Sequence, residues 1–219
     1  MGTERIILAS ASPRRRELLA TIYTDFDVEP CPFAEPEFKS DSASPGQWAE
    51  ALAYFKARAV AESRAGRWVL AADTIVACAG QVLGKPRDLT DARAMLELQA
   101  RQASDVLTGV CLLRRGTGDE EERFSQVEQT RVWMRDDAAF REAYLASGDW
   151  RAKAGAYGIQ NVGDRLVERI EGSFSNVVGL PLEAVTRMLR HVGLPLRLGR
   201  NELGAAPKSD DAGEPAPAG

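Results

Sequence analysis

The order of elements in this sequence predicts an α/β fold with a mixed twisted sheet and flanking helices. Short apolar and β-branched runs alternate with segments whose apolar residues recur at helical spacing, so helices connect several of the strands. Other strands are joined by short turns instead, and such hairpins force antiparallel neighbours into the same sheet. Size and composition agree with this. The chain has 219 residues, 44% apolar and 27% charged, which is enough to bury a real core and close to the globular average.

Residues 5–9 form a short apolar run that reads as a strand. Ser10-Ala11-Ser12-Pro13 leads into residues 14–22, where Leu18, Leu19 and Ile22 recur at helical spacing. Ser12 as N-cap and Pro13 at the first helical position mark the start. A proline-rich loop covers residues 30–45. Ser44-Pro45-Gly46-Gln47 then reads as a capping box before a helix that sets Trp48, Leu52, Phe55, Ala59 and Val60 on one face and carries Lys56. Residues 68–77 are β-rich, and Gly80 turns them into a hairpin with Val82 and Leu83.

Gly84-Lys85-Pro86-Arg87-Asp88 is a loop, and Thr90 caps a helix that runs to about Gln99. Residues 106–113 and 124–134 alternate as strands across a charged turn at 116–122. Asp136 or Asp137 opens a helix through Phe140 and Tyr144 that stops at Gly148. Residues 155–161 are a glycine-punctuated loop and 166–170 a strand. The last helix is 182–192, with Val185, Met188, Leu189 and Val192 aligned. Residues 204–219 contain no aromatic or branched aliphatic side chain, so a disordered tail is expected there.

Several classes of function are excluded at this level. Lys and Arg number 28 against 32 Asp and Glu, a net charge of −4, so no global field draws in nucleic acid. No apolar run approaches about 18 residues, and the one at residues 6–9 is too short for a signal-peptide core, so a cytoplasmic chain without membrane contact is expected. Cys31, Cys78 and Cys111 are odd in number and widely spaced. They read as buried small hydrophobes, not as disulfide or zinc partners. His191 is the sole histidine and falls at a helix end before Gly193, where the dipole favours it at the surface. Histidine-based nucleophilic and two-histidine metal chemistry are thereby set aside. Carboxylates, lysines, arginines and an oxygen-bound metal remain.

Four constellations carry chemistry. Ser10, Ser12, Arg14 and Arg15 stand at a strand-to-helix junction, where free amides and the helix dipole favour an anion. An exposed basic helix start is the alternative, and the glycine pattern of a P-loop is missing. Asp73 lies inside Ala71-Ala72-Asp73-Thr74-Ile75-Val76, and a carboxylate in such a run needs a metal, a hydrogen-bond shell or a catalytic duty. A polar residue at a bulge is the alternative, with Thr74 an ordinary β-branched strand residue. Lys56, Lys85 and Lys153 are isolated lysines that, with Arg14 and Arg15, fit a triphosphate-sized anion pocket, although any one of them alone reads as surface. In Gly155-Ala156-Tyr157-Gly158-Ile159-Gln160 the glycines permit close approach, and Gln160 can read a base edge. A structural turn explains the same residues.

These blocks, with Leu8 through Arg15 and with Ser175-Asn176-Val177-Val178-Gly179-Leu180-Pro181-Leu182, resemble the Maf (septum formation inhibitor) family of nucleoside triphosphate pyrophosphatases. The likeness runs in family order from residue 5 to about 195. It implies a single domain over residues 1–203, in two lobes around a cleft as in the inosine triphosphatase fold, commonly as a homodimer. The activity implied is hydrolysis of the α–β phosphoanhydride of a nucleoside triphosphate, helped by Mg²⁺ or Mn²⁺. By position, Asp73 matches the proton acceptor, Ser10, Arg15, Lys56 and Lys85 the phosphate-handling residues, and Glu35 with Asp73 the metal ligands. Arg14, Thr74 and Gln160 match the three specificity positions of the subgroup resembling dTTP/UTP pyrophosphatases. Pyrophosphatases of modified nucleotides such as 7-methyl-GTP, and a nucleotide-binding division regulator, are the alternatives. The chain departs from the family at Ala34, Gln99-Ala100-Arg101, Ser104 and Ala152.

Overall fold

A forked sheet organises the molecule. The computed structural model describes residues 5–32, 43–118, 120–159 and 165–196; the tail expected at 204–219 lies outside them. Strand β1 (Ile6–Leu8) runs parallel to β2 (Phe26–Val28) on one side and to β3 (Trp68–Cys78) on the other. β3 turns back through β4 (Gln81–Leu83) and pairs along its whole opposite edge with β5 (Ser104–Arg115). β6 (Glu121–Met134) and β7 (Val167–Glu171) follow, also antiparallel, so the order is β2-β1-β3-β5-β6-β7, with β4 beside β3. The sheet is mixed, as the hairpins predicted.

β1 and β4 share one edge of β3. β1 pairs with Val69 and Leu70, whereas β4 pairs with Val76 to Cys78. Between them, residues 71–75 have a described strand only on the β5 side. Apolar side chains explain why the two prongs hold. At the β1 end, Ile7, Val69 and Leu113 pack under helix α2 (Pro45–Ala61), and Ile6, Leu8 and Leu70 pack on the other face against Leu19, Val185 and Leu189. At the β4 end, a separate cluster joins Val76, Leu83, Leu96, Val132, Tyr144 and Trp150. The open stretch of β3 lies between these packed ends.

The helices are α1 (Pro13–Ile22), α2, α3 (Leu89–Arg101), α4 (Ala138–Ser147), α5 (Phe174–Val178) and α6 (Leu182–His191). The capping box of α2 is present, with Ser44 Oγ accepting from the Gln47 amide and Gln47 Oε1 from the Ser44 amide. Its buried stripe is rotated from the expected one: Leu52 and Val60 are buried as expected, but Ala49, Ala53 and Ala57 join them against the sheet, and Phe55 is 58% exposed. The reason is close approach. A Cβ on Gly109 of β5 would lie 2.2 Å from the Ala49 carbonyl oxygen, so only small residues fit between helix and strand. Asp88, not Thr90, caps α3, because its carboxylate accepts from the Asp91 amide at 2.8 Å and complements the helix dipole. Ser12 occupies the N-cap of α1 without a side-chain cap; its own amide donates to Ser10 Oγ. Asp137 and Gly148 bracket α4 as expected. The sequence pattern does not announce β2 and α5, since three and five residues carry too little periodicity. Cys78 and Cys111 are buried, but Cys31 is only half-buried.

Gly109→Ala is expected to lower stability by about 3 kcal/mol, the upper range for overpacking a close contact. Urea unfolding followed by circular dichroism should show a lower midpoint.

Candidate functional site

The fork exposes Asp73 where the sheet would otherwise be closed. A cavity of about 610 Å³ opens there. Its rim is built by the turn after β1 and the start of α1 (Ser10 to Arg15), by Lys56 of α2, by Lys85 after β4, by residues 151–154 and by the α5 end. Seven of the expected site residues, Ser10, Arg14, Arg15, Lys56, Asp73, Thr74 and Lys85, line this one space. Glu35 and Gln160 lie outside the described residues. Arg151 and Cys31 line the cavity without any signal in the sequence pattern.

Asp73 is 6% exposed, and Lys56 Nζ donates to its Oδ1. A buried carboxylate persists in charged form only with such compensation. The alanine stripe of α2 makes the pair possible by letting the helix carrying Lys56 lie against the strand carrying Asp73.

Next to Asp73 in the strand, Thr74 belongs to a chain of hydrogen bonds that starts at the Arg15 guanidinium. Arg15 Nε donates to the Gly179 carbonyl at 2.8 Å and Nη2 to Thr74 Oγ1 at 3.1 Å. Thr74 and Thr108 hydroxyls are 2.9 Å apart, and Thr108 donates to the Asn176 carbonyl at 3.2 Å. Thr108 has one proton, so the proton between the two hydroxyls belongs to Thr74. Asn176 Nδ2 donates to the Val106 carbonyl and to Thr130 Oγ1. The Ser175–Gly179 block thus fixes the direction in which Arg15 points. Thr108, fully buried in mid-strand, gives no sequence signal for this duty.

The opposite wall is a constrained turn. Ala152, Gly155 and Ala156 take φ of 58°, 68° and 63°, a conformation that costs non-glycine residues about 1 kcal/mol or more each. The turn is held by Gln99 Nε2 donating to the Gly155 carbonyl at 2.7 Å and by the Gly155 amide donating to Gly84. Gln99, a departure from the family pattern, therefore has a structural use. Lys153 is half-buried on this wall; burial first, and Arg14 second, hold its amine below the usual lysine range. His191 is exposed at the end of α6, its ring edge-on to Phe124. Among the described residues no three His, Cys, Asp or Glu side chains cluster to hold a metal, and no helix is long and apolar enough to cross a membrane.

A forked α/β sheet, with one buried acid facing fixed cations across a cleft, defines a class of protein suited to polyanionic ligands. The chain belongs to the Maf family: the model of the Maf-like protein family matches residues 5–192. It is 45% identical over 193 residues to a dTTP/UTP pyrophosphatase of Anaeromyxobacter sp. (strain Fw109-5), covering 88% of this chain and 91% of that protein. Proteins of the same name from Deinococcus radiodurans and Geobacter sulfurreducens are 44% and 43% identical, over 87% and 88% of this chain and 94% and 99% of theirs.

Thr108→Val, which keeps the shape but removes the hydroxyl, is expected to cost about 1–3 kcal/mol by leaving the Asn176 carbonyl and Thr74 underbonded. Chemical denaturation of the purified variant measures it.

Proposed function

We propose that this chain hydrolyses dTTP and UTP between the α and β phosphates, giving the nucleoside monophosphate and pyrophosphate. The observation that carries the reading is the Asp73–Lys56 pair at the fork, faced by Ser10, Arg15 and Lys85 in one cavity. The names of the relatives supply the substrate.

Phosphoanhydride cleavage needs little covalent help from protein, because positioning and charge stabilisation do most of the work. Asp73 takes the proton of the attacking water, the new bond forms at the α phosphorus, and its bond to the bridging oxygen breaks with the electron pair leaving on pyrophosphate. Lys56 holds the carboxylate in register through Oδ1. Arg15, Lys56 and Lys85 meet the phosphate charge, and Ser10 donates to an oxygen at the turn.

The donor chemistry fits a divalent cation. Mg²⁺ takes one or two carboxylates and completes its shell with phosphate oxygens and water, so a single buried carboxylate in a cationic cleft is enough to start such a site. Asp73 and Glu35 are the ligands we assign, with Mg²⁺ or Mn²⁺ neutralising phosphate charge when bound. Arg14, Thr74 and Gln160 are assigned the choice of thymine and uracil nucleotides; Thr74 acts from a hydroxyl already fixed between Arg15 and Thr108. A homodimer in the cytoplasm is part of the same reading.

Asp73→Asn is expected to lower pyrophosphate release from UTP at least 10²- to 10³-fold, on the scale of losing one preorganised electrostatic group, while UTP binding persists; unchanged turnover would sink the assignment. A nucleotide panel read as kcat/KM should show Gln160→Glu and Arg14→Trp shifting preference from dTTP and UTP toward 7-methyl-GTP.

A further inference from the structure

Lys153 and the exposed Arg151 are cations of the cavity to which the pyrophosphatase reading gives no role, and Lys153 is the half-buried one. Its stem and the Arg14 guanidinium converge on Gly158. A Cβ added to that glycine would lie 2.9 Å from Arg14 Nη1, 3.2 Å from Lys153 Cδ and 3.3 Å from Lys153 Cε. Two positive side chains therefore share one wall, with only a glycine to make room for them. Among the described residues no hydrogen bond or ion pair engages the Lys153 ammonium. Asp149 opposes the effects of burial and of Arg14 only in part.

The other cations of the cleft are differently placed. Lys56 is matched by Asp73, and Arg15 is anchored to Gly179 and Thr74. Lys153 is not a loose surface lysine either. It begins a 3-10 turn (Ala154–Ala156) held by a buried bond from Gln99 and by the Gly84 carbonyl, against the strain at Ala152 and Ala156. Bringing like charges together out of water costs free energy, and an anion between them recovers it.

We propose that Lys153 and Arg14 form a second anion-binding station of the cavity, which takes a phosphoryl group of the nucleoside triphosphate and not its base. An ammonium with three donors beside a guanidinium fork matches phosphate oxygens. A neutral pyrimidine carbonyl would leave both charges uncompensated. The ligand's identity rests on the proposed pyrophosphatase reading; the anion site itself does not. Arg14 then holds phosphate in addition to its assigned part in substrate choice.

Calorimetric titration of the full chain with inorganic tripolyphosphate in EDTA tests this without base, metal or turnover. Lys153→Met should weaken tripolyphosphate and UTP alike by about 10- to 100-fold, the range for one charge-assisted hydrogen bond. Lys153→Arg should restore both to within about threefold. A pH series adds a readout that a merely structural role would not move. The charged and titratable groups around this wall are Arg14 on α1, Tyr144 on α4 and Asp149 in the turn that follows. A guanidinium carries its charge throughout, and burial pushes the Tyr144 phenol up to about 12. Binding favours the protonated amine. Wild-type affinity should therefore fall, relative to Lys153→Arg, as pH rises through the lowered Lys153 pKa.

Lys153→Met binding tripolyphosphate as well as wild type would overturn the proposal. So would a loss confined to UTP, or no wild-type binding of tripolyphosphate at all. A wild type that binds tripolyphosphate through Lys153 yet releases no pyrophosphate from UTP or dTTP would overturn the proposed function and leave this station standing.

Discussion

The gap between β1 and β4 along one edge of β3 is the constraint on which the rest of the molecule depends. A fully paired central strand would bury its middle residues between neighbours, and a carboxylate there would have no access to solvent or ligand. Because the two prongs end on either side of residues 71–75, Asp73 stays in a strand, with its backbone ladder to β5 intact, and still lines a cleft. The same gap receives the turn after β1 and the loop after β4, and these bring Ser10, Arg14, Arg15 and Lys85 to the carboxylate. The crevice beyond the carboxyl end of parallel strands is where open α/β sheets bind ligands.

The cleft is rigid on three sides for three different physical reasons. On the α2 side, alanines and Gly109 let a helix lie so close to the sheet that Lys56 meets Asp73. On the α5 side, the hydroxyls of Thr74 and Thr108 carry a line of hydrogen bonds from Arg15 to the Asn176 backbone carbonyl, and the Asn176 side chain is itself tied to Thr130. On the third side, a turn with left-handed alanines is held by a buried glutamine. Preorganised charge of this kind costs no rearrangement when a polyanion binds, and that is the form electrostatic catalysis takes.

The cations of the cleft are not equivalent. Lys56 is neutralised by its carboxylate, Arg15 is anchored to backbone and hydroxyl oxygens, and Lys153 shares the Gly158 wall with Arg14. A count of positive charge would treat them alike. Their surroundings hold each of them differently, by a carboxylate, by backbone and hydroxyl oxygens, or beside another cation.

Much of this was legible in the residues alone. Alternating apolar runs and the Ser44 capping box fixed the strands and α2, because period and cap chemistry are local properties. Asp73 stood out because a charged residue interrupts an apolar strand, and the basic block at 14–15 because it follows a strand directly. β2 and α5 were too short to leave a period, and the Asp88 cap competed with a plausible Thr90. What folding alone decided was partnership. Nothing local tells Thr108 that it will lie against Thr74, Gln99 that it will hold Gly155, or Lys153 that it will face Arg14 across Gly158. Those contacts join residues far apart in the chain, and only the packing of helices onto a forked sheet brings them within a bond's reach.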